Sequence, residues 1–485
     1  MTSATINRLY PANAARAQSG SHDHFEPGED NPESPQLGLI ATVLAHGSHI
    51  LSSKNEREQT QRNAIVAFAM RCLSAALLYA SQIVLARWMG SYEYGIYVFV
   101  WTWVLILGGM SHLGLNVTAM RLAPTYRETG QIDHLRGLVR GMRLMALATS
   151  TFVMLAGVAG VYLFKDYLQS HYVLPLYLAL ICVPMFTLTD LQDGIGRGNA
   201  WMGLALAPPY VLRPVLVLAA MVCAYAAGLP MQATTAASAA IVATWGAGLI
   251  QTLMINRRLC QTIPKGPRAY DFKGWLSISL PLLVILGCEL ALQNTDILII
   301  SRFMTPTDVG IYFAAGKTMA LIMFVHYAVG SAVANKFASL HARGDRESLR
   351  AFVTDAVNWT FWPSLAGAML ILALGKPLLW LFGPQFEAGY PVMCILVAGF
   401  LFRSAMGPAE FLLNMLGEQK LCATVLFTSA MLNVALNVAL VPQFGLVGAA
   451  SATAISLMMA AMLNYFVVWR RLEIEIAIWR NLPKF

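Results

Sequence analysis

Charge is what this sequence has least of. Asp, Glu, Lys and Arg together make up 12% of its 485 residues, about half the ~25% of soluble globular chains. So few ionic groups cannot cover a water-exposed surface, which excludes a soluble enzyme or binding module. Cysteine is sparse as well, and the seven residues (72, 182, 223, 260, 288, 394 and 422) stand singly without CxxC spacing. A disulfide scaffold and a thiolate metal centre are therefore excluded, leaving small apolar residues of helices. The amino-terminal stretch has no apolar h-region, hence no signal peptide is expected. Residues 310–318 imitate a phosphate loop but place five residues between the glycines where the motif needs four, inside an apolar run. His112 and His326 are isolated, so no metal set and no cofactor is expected.

Apolar residues, at 57%, fill the chain instead. Runs of about 20 of them cross the ~30 Å hydrocarbon layer. Such runs occur at 64–86, 94–116, 142–163, 173–194, 204–227, 235–256, 276–299, 309–332, 354–374, 391–415, 420–441 and 446–468. The net charge of +8 is not gathered into one basic face, so nucleic acid is not an expected partner. Lys and Arg recur between the spans, 23 on the side that holds the N-terminus against four (Arg87, Lys165, Arg302, Lys376) on the other. That bias places both termini in the cytoplasm, in a multi-pass protein of the cytoplasmic membrane, and Asn116, in a glycosylation triplet on the cytoplasmic side, is discounted. The expected fold is an all-α integral membrane protein with about twelve transmembrane helices in two pseudo-symmetric six-helix lobes.

The expected boundaries are a disordered or interfacial cytoplasmic tail over 1–60, an amino-terminal lobe over 61–258, and a basic inter-lobe linker over 259–275. A carboxy-terminal lobe over 276–468 and a cytoplasmic tail over 469–485 complete the chain. Within the first tail, 1–34 is polar and 36–52 mildly apolar, the latter compatible with a short surface helix. In 131–143, Leu135, Leu138, Val139 and Met142 share one face and Arg136, Arg140 and Arg143 another, which reads as an interfacial amphipathic helix. The alternation over 470–480 fits a strand or a continued helix, and both readings stay open.

One short stretch occurs twice, over 85–97 and 300–312. At a constant offset of 215 residues, Arg87 matches Arg302, Met89 matches Met304, and Gly95, Ile96 and Tyr97 match Gly310, Ile311 and Tyr312. Gly90-Ser91 stands where the second copy has Thr305-Pro306, so the two turns need not be equivalent. A fixed-period echo marks a duplicated unit, and in a membrane chain it marks two matching halves with a substrate path between them.

Ionisable residues inside the spans are the candidate site, because each cation at mid-bilayer costs at least ~2.5–3.5 kcal/mol and needs a watery cavity or a partner. Arg71, Arg213, Lys317 and Arg403 lie in separate spans of both halves, as expected of a cavity that receives an anion. The competing reading is that they snorkel or pair with carboxylates. Arg213 falls in a proline-rich run, Pro208, Pro209 and Pro214, that should break helix regularity. Glu289, Gln293 and Asp296 share one face of span seven; Glu289, nearest the bilayer centre, either couples transport to a proton or cation gradient or neutralises a cation. Asp190, Asp193 and Glu410 are further candidates at the cavity mouth.

The turn carrying Arg87, Met89, Gly90, Glu93, Tyr94, Gly95, Ile96 and Tyr97, with its echo at 308–312, resembles the polysaccharide-transporter branch of the multidrug/oligosaccharidyl-lipid/polysaccharide exporter superfamily. The segments 344–350, 379–390 and 442–450 agree with it in order and spacing, over roughly residues 62–470. The resemblance implies a V-shaped, two-lobed bundle alternating between inward- and outward-open states. It also implies a substrate, isoprenoid-pyrophosphate-linked oligosaccharides (O-antigen or exopolysaccharide units), with Arg71, Arg213, Lys317 and Arg403 supplying the positive cavity. Membrane lipids are expected partners, and glycan polymerase or export machinery is a candidate one. Two alternatives remain: a cation-coupled multidrug exporter of the same superfamily, and a polytopic polysaccharide polymerase or ligase, for which the outer loops are short.

Overall fold

The computed structural model describes the backbone of residues 56–481, and side chains from residue 73 onward except at position 335. The expectations for 1–34 and 36–52, and the side chain of Arg71, lie outside the described residues. The described residues from 62 onward form one compact unit, and among the described residues all regular structure is helical.

The helices are α1 (Glu56–Ser111), α2 (Leu115–Glu128), α3 (Ile132–Leu163), α4 (Ser170–Leu180), α5 (Val183–Gly198), α6 (Met202–Ala207) and α7 (Arg213–Ala226). They continue as α8 (Ala233–Thr262), α9 (Phe272–Phe303), α10 (Pro306–Ala342), α11 (Arg346–Trp380), α12 (Tyr390–Ala405), α13 (Ala409–Met415) and α14 (Gln419–Leu472). Among the described residues nine helical stretches are long and apolar enough to cross a bilayer, or ten if α4 and α5, bent by 48°, form one broken span. Two of the nine, α1 and α14, are interrupted at Gly90 and Gly445, both at positions where the hydropathy pattern puts a turn between spans.

The two copies of the repeat make their turns by different physics. Gly90 takes φ 76° and ψ 167°, a conformation open to glycine and strained for other residues. In the second copy Pro306 begins α10 at its first turn, and Thr305 and Asp308 form a reciprocal capping box.

These copies then pack on each other. A Cβ on Gly95 would overlap the Pro306 carbonyl oxygen, while one on Gly310 would stand 2.9 Å from the Ser91 carbonyl oxygen. Ser91 and Pro306 are equivalent across the 215-residue offset, as are Gly95 and Gly310. The contact is therefore reciprocal, the mark of a two-fold relation between halves. Around it Tyr94 is buried against Phe313 (6.2 Å between centroids) and Phe386 (5.9 Å). Arg87 reaches across to the other half, donating to the Leu381 and Trp380 carbonyls at 2.8 and 2.9 Å.

One hydrophobic core unites both halves at this end, containing Tyr94, Ile96 and Val100 together with Val309, Phe382 and Phe386. At the far end the cores are separate. Leu115, Leu138, Leu191 and Ile195 make one with Trp275, and Phe337, Leu349, Val357 and Leu413 make another. The two cores are distinct, although Trp275 of α9 packs within the first of them.

Several sequence expectations change. The 131–143 face is not an interfacial helix: it opens the 32-residue α3, and Leu135, Leu138 and Met142 are fully buried in protein. Protein and headgroup surroundings select the same i, i+3, i+4, i+7 spacing, and neighbouring helices occupy it here. Arg136 instead clamps the linker, donating to the Pro264 and Pro267 carbonyls at 2.8 and 3.0 Å. That linker is shorter than expected, since α8 runs to Thr262 and α9 begins at Phe272. After α14 the chain is neither strand nor continued helix. It runs extended and buries Ile474, Ile476 and Ile478 in the carboxy-terminal core before a 3-10 turn at Ile478–Arg480.

Candidate functional site

Arg213 owes its setting to three prolines. Pro208 and Pro209 have no N–H to offer the carbonyls of Leu204 and Ala205. The side-chain amide of Gln251 donates to both instead, at 3.3 Å each. The backbone widens into a π-turn at Pro208–Leu212, and Arg213 opens α7, the irregularity expected of this run. The guanidinium lies over the rings of Phe186 (5.1 Å) and Trp101 (5.5 Å). Among the described residues it forms no ion pair with a carboxylate, although Asp190 lies within electrostatic reach.

Asp190 itself lies 2.8 Å from His112 Nε2 and accepts from Asn116 Nδ2 at 3.4 Å. His112 Nδ1 accepts the Gly114 N–H at 3.1 Å, which fixes the ring with its Nε2 toward the carboxylate. This pair closes a break at which Leu113 and Gly114 both have positive φ (54° and 75°). A Cβ on Gly114 would come within 2.6 Å of the Ser279 carbonyl oxygen of α9. Asp193 is buried and held bidentately by Arg197.

In the other half, Lys317 has its ammonium 4.8 Å from the Phe313 centroid and no carboxylate partner among the described residues. Its neighbour Thr318 donates to the Ala314 carbonyl (2.8 Å), which leaves the hydroxyl oxygen to accept from Tyr79 of α1 (3.1 Å). Arg403 is different: it donates to Glu410 at 2.8 Å across the break between α12 and α13. Of the four expected cavity cations, Arg213 and Lys317 are uncompensated, Arg403 is paired, and Arg71 has no described side chain.

The acidic face of α9 divides. Glu289 and Gln293 are exposed, with Glu410 in electrostatic reach of Glu289. A carboxylate in the middle of a 32-residue apolar helix is costly against hydrocarbon, so this exposure calls for water or a polar partner. Asp296 is 5% exposed and caged by α10 and α14. It accepts from Tyr312 Oη (2.5 Å), Thr453 Oγ1 (2.6 Å) and Asn437 Nδ2 (2.8 Å). The three residues are thus not one cluster. Asp296→Ala should leave those donors unpaired in the interior, at ~1–3 kcal/mol each. A fall of several degrees in the unfolding temperature of the purified protein is expected, with a smaller fall for Asp296→Asn.

Sequence reasoning passed over Asn433, Asn437, Thr453 and Tyr312. A signal was there: two amides at i, i+4 inside an apolar run need a polar partner. His112 gave no such signal, because Asp190 is 78 residues away in sequence.

Comparison with known proteins supplies the family context. The family model described as polysaccharide biosynthesis protein matches residues 60–338, more than half of the chain. The probable low-salt glycan biosynthesis flippase Agl15 of Haloferax volcanii is 26% identical over 170 residues. The match takes in 35% of this chain, which spans 36% of that relative's length. In fold, the chain is similar to the inward closed conformation of the lipid II flippase MurJ, with a TM-score of 0.65 at 14% identity, over 83% of this chain and 87% of that one. It is similar also to an inward-facing multidrug resistance MATE family transporter of the MOP superfamily, with a TM-score of 0.67 at 13% identity, over 82% and 94%.

Proposed function

This chain belongs to the polysaccharide biosynthesis protein family, and from that premise we propose that it is a flippase for lipid-linked oligosaccharides rather than an enzyme. Its cargo, in this reading, is an isoprenoid-pyrophosphate-linked O-antigen or exopolysaccharide unit. Alternating access carries it from the cytoplasmic to the outer leaflet of the cytoplasmic membrane, and both termini of the protein are cytoplasmic. One observation carries the proposal: Arg213 and Lys317, one from each copy of the duplicated unit, lie in apolar helices over aromatic rings with no carboxylate partner among the described residues. An unpaired cation in that setting is costly unless an anion visits it, and a pyrophosphate is such an anion. Arg71 and Arg403 join this cationic path, Arg403 once Glu410 releases it. The polyprenyl tail stays in lipid throughout.

Coupling runs through α9. Glu289, open to the gap, exchanges a proton, Gln293 lines its path, and Asp296 with the oxygens of Asn433, Asn437, Thr453 and Tyr312 responds to the bound charge. Transport by Glu289→Gln should continue but lose its sensitivity to collapse of the proton gradient. Unchanged sensitivity would remove Glu289 from coupling.

The decisive experiment is reconstitution. Vesicles containing the protein should move a fluorescent lipid-linked oligosaccharide between leaflets, and empty vesicles should not. Failure to move it, with export of a cationic drug instead, would favour the multidrug exporter.

A further inference from the structure

The carboxy-terminal segment builds a polar pocket whose lining includes none of Arg213, Lys317, Arg403 and Glu289. Residues 473–481 fold back across α11 and are tied there by side chains. Asn358 Nδ2 donates to the Asn481 carbonyl (2.7 Å), Thr354 Oγ1 to Asn481 Oδ1 (2.7 Å), and Arg350 to the Glu473 carbonyl (2.8 Å). Ile474, Ile476 and Ile478 anchor the segment in the core beneath.

What the fold-back borders is an open pocket of about 750 Å³ between α11, the end of α14 and the tail. Three guanidinium groups come to it from three different elements: Arg350 from α11, Arg470 from α14 and Arg480 from the tail. Glu473 and Glu475 also border it, and Glu475 lies 3.4 Å from Arg480. Arg470 makes no ion pair among the described residues. Phe466 and Trp469 form the remaining wall, and both are exposed.

Its depth in the bilayer follows from the spans. Arg350 directly precedes the apolar run of α11, and Trp469 and Arg470 directly follow the last apolar run of α14. Both sets therefore sit at headgroup level on the same membrane face, where exposed Trp and Phe rings anchor a protein to the interface. A basic pocket at that depth, with an apolar side toward the acyl region, has the chemistry of an anionic headgroup site.

We infer that this pocket binds the phosphate headgroup of an anionic phospholipid, with Arg470 and Arg480 as its principal cations. Arg480 leaves Glu475 for the phosphate, and the first acyl methylenes lie along Phe466 and Trp469. The site is independent of the cargo and of which leaflet the tail faces.

The full-length protein, purified in a neutral detergent, is offered phosphatidylglycerol or phosphatidylcholine at equal mole fraction, or millimolar inorganic phosphate. Retained lipid and unfolding temperature are the readouts. The wild-type protein should retain phosphatidylglycerol over phosphatidylcholine by about thirtyfold and be stabilised by it, as two headgroup-level cations predict. Arg470→Gln with Arg480→Gln should abolish that preference while leaving the lipid-free unfolding temperature unchanged; Arg470→Lys should keep it. Should the double variant fail to fold, Arg470→Gln alone is measured in its place. The same preference in the glutamine variants, or equal retention of phosphatidylcholine, would overturn the inference. Equal stabilisation by inorganic phosphate would overturn the lipid as occupant.

Discussion

Gly95→Val should abolish transport while leaving the protein in the membrane. Any side chain at this position overlaps the Pro306 carbonyl oxygen, and backbone cannot swing aside as a flexible side chain can. Overpacking of this kind costs ~1–3 kcal/mol. Here the cost falls on one state, the one in which the two repeat turns touch. A shift of ~3 kcal/mol changes the ratio of two conformations by about 150-fold, enough to empty the joined state and halt alternation. Gly310→Ala is the graded control: its Cβ would stand 2.9 Å from the Ser91 carbonyl, so a smaller loss is expected. In a cysteine-free background, a thiol placed at Ser91 should become reactive to an impermeant maleimide in Gly95→Val and remain protected in the parent. Equal protection in both would show that the turns do not gate the path.

Arg213→Ala should cost about 100-fold in flipping rate, the effect of losing a charge-assisted contact of ~2–3 kcal/mol. Lys317→Ala should cost as much. Arg403→Ala should cost less, because Glu410 already compensates that guanidinium (2.8 Å). The order of the three tests the anion path more sharply than any single loss. Arg213→Lys should recover only part of the activity, since an ammonium does not reproduce the flat stacking on Phe186 and Trp101. The readout is transbilayer movement of a labelled lipid-linked oligosaccharide in vesicles, normalised to inserted protein. Identical rates in Arg213→Ala and the parent would remove the site.

Most helix positions were legible in the residues because lipid imposes a simple rule, long apolar runs punctuated by polar turns; the breaks inside 94–116, 173–194 and 391–415 were not. Gly90 and Gly445 interrupt α1 and α14 where hydropathy drops, and Pro208 with Pro209 distorts the helix before Arg213 as their missing N–H groups require. What escaped was everything that depends on which helices are neighbours. Nothing in the local pattern pairs His112 with Asp190 or Arg403 with Glu410. On one face of an ideal helix Glu289 and Asp296 look alike; only the packing of α10 and α14 around the latter separates an exposed carboxylate from a caged one. The face of Leu135, Leu138 and Met142 was ambiguous for the same reason, since lipid and protein reward the same spacing.

The two repeat turns also differ in stiffness. The capping box of Thr305 and Asp308, with proline next to it, braces the second against rotation, while Gly90 leaves the first with slack. A duplicated machine with one welded joint and one loose joint cannot rock as mirror images. In the alternating cycle proposed above, the elbow at residue 90 is expected to absorb most of each swing, so a proline or a bulky residue there should slow transport more than the same change at residue 305.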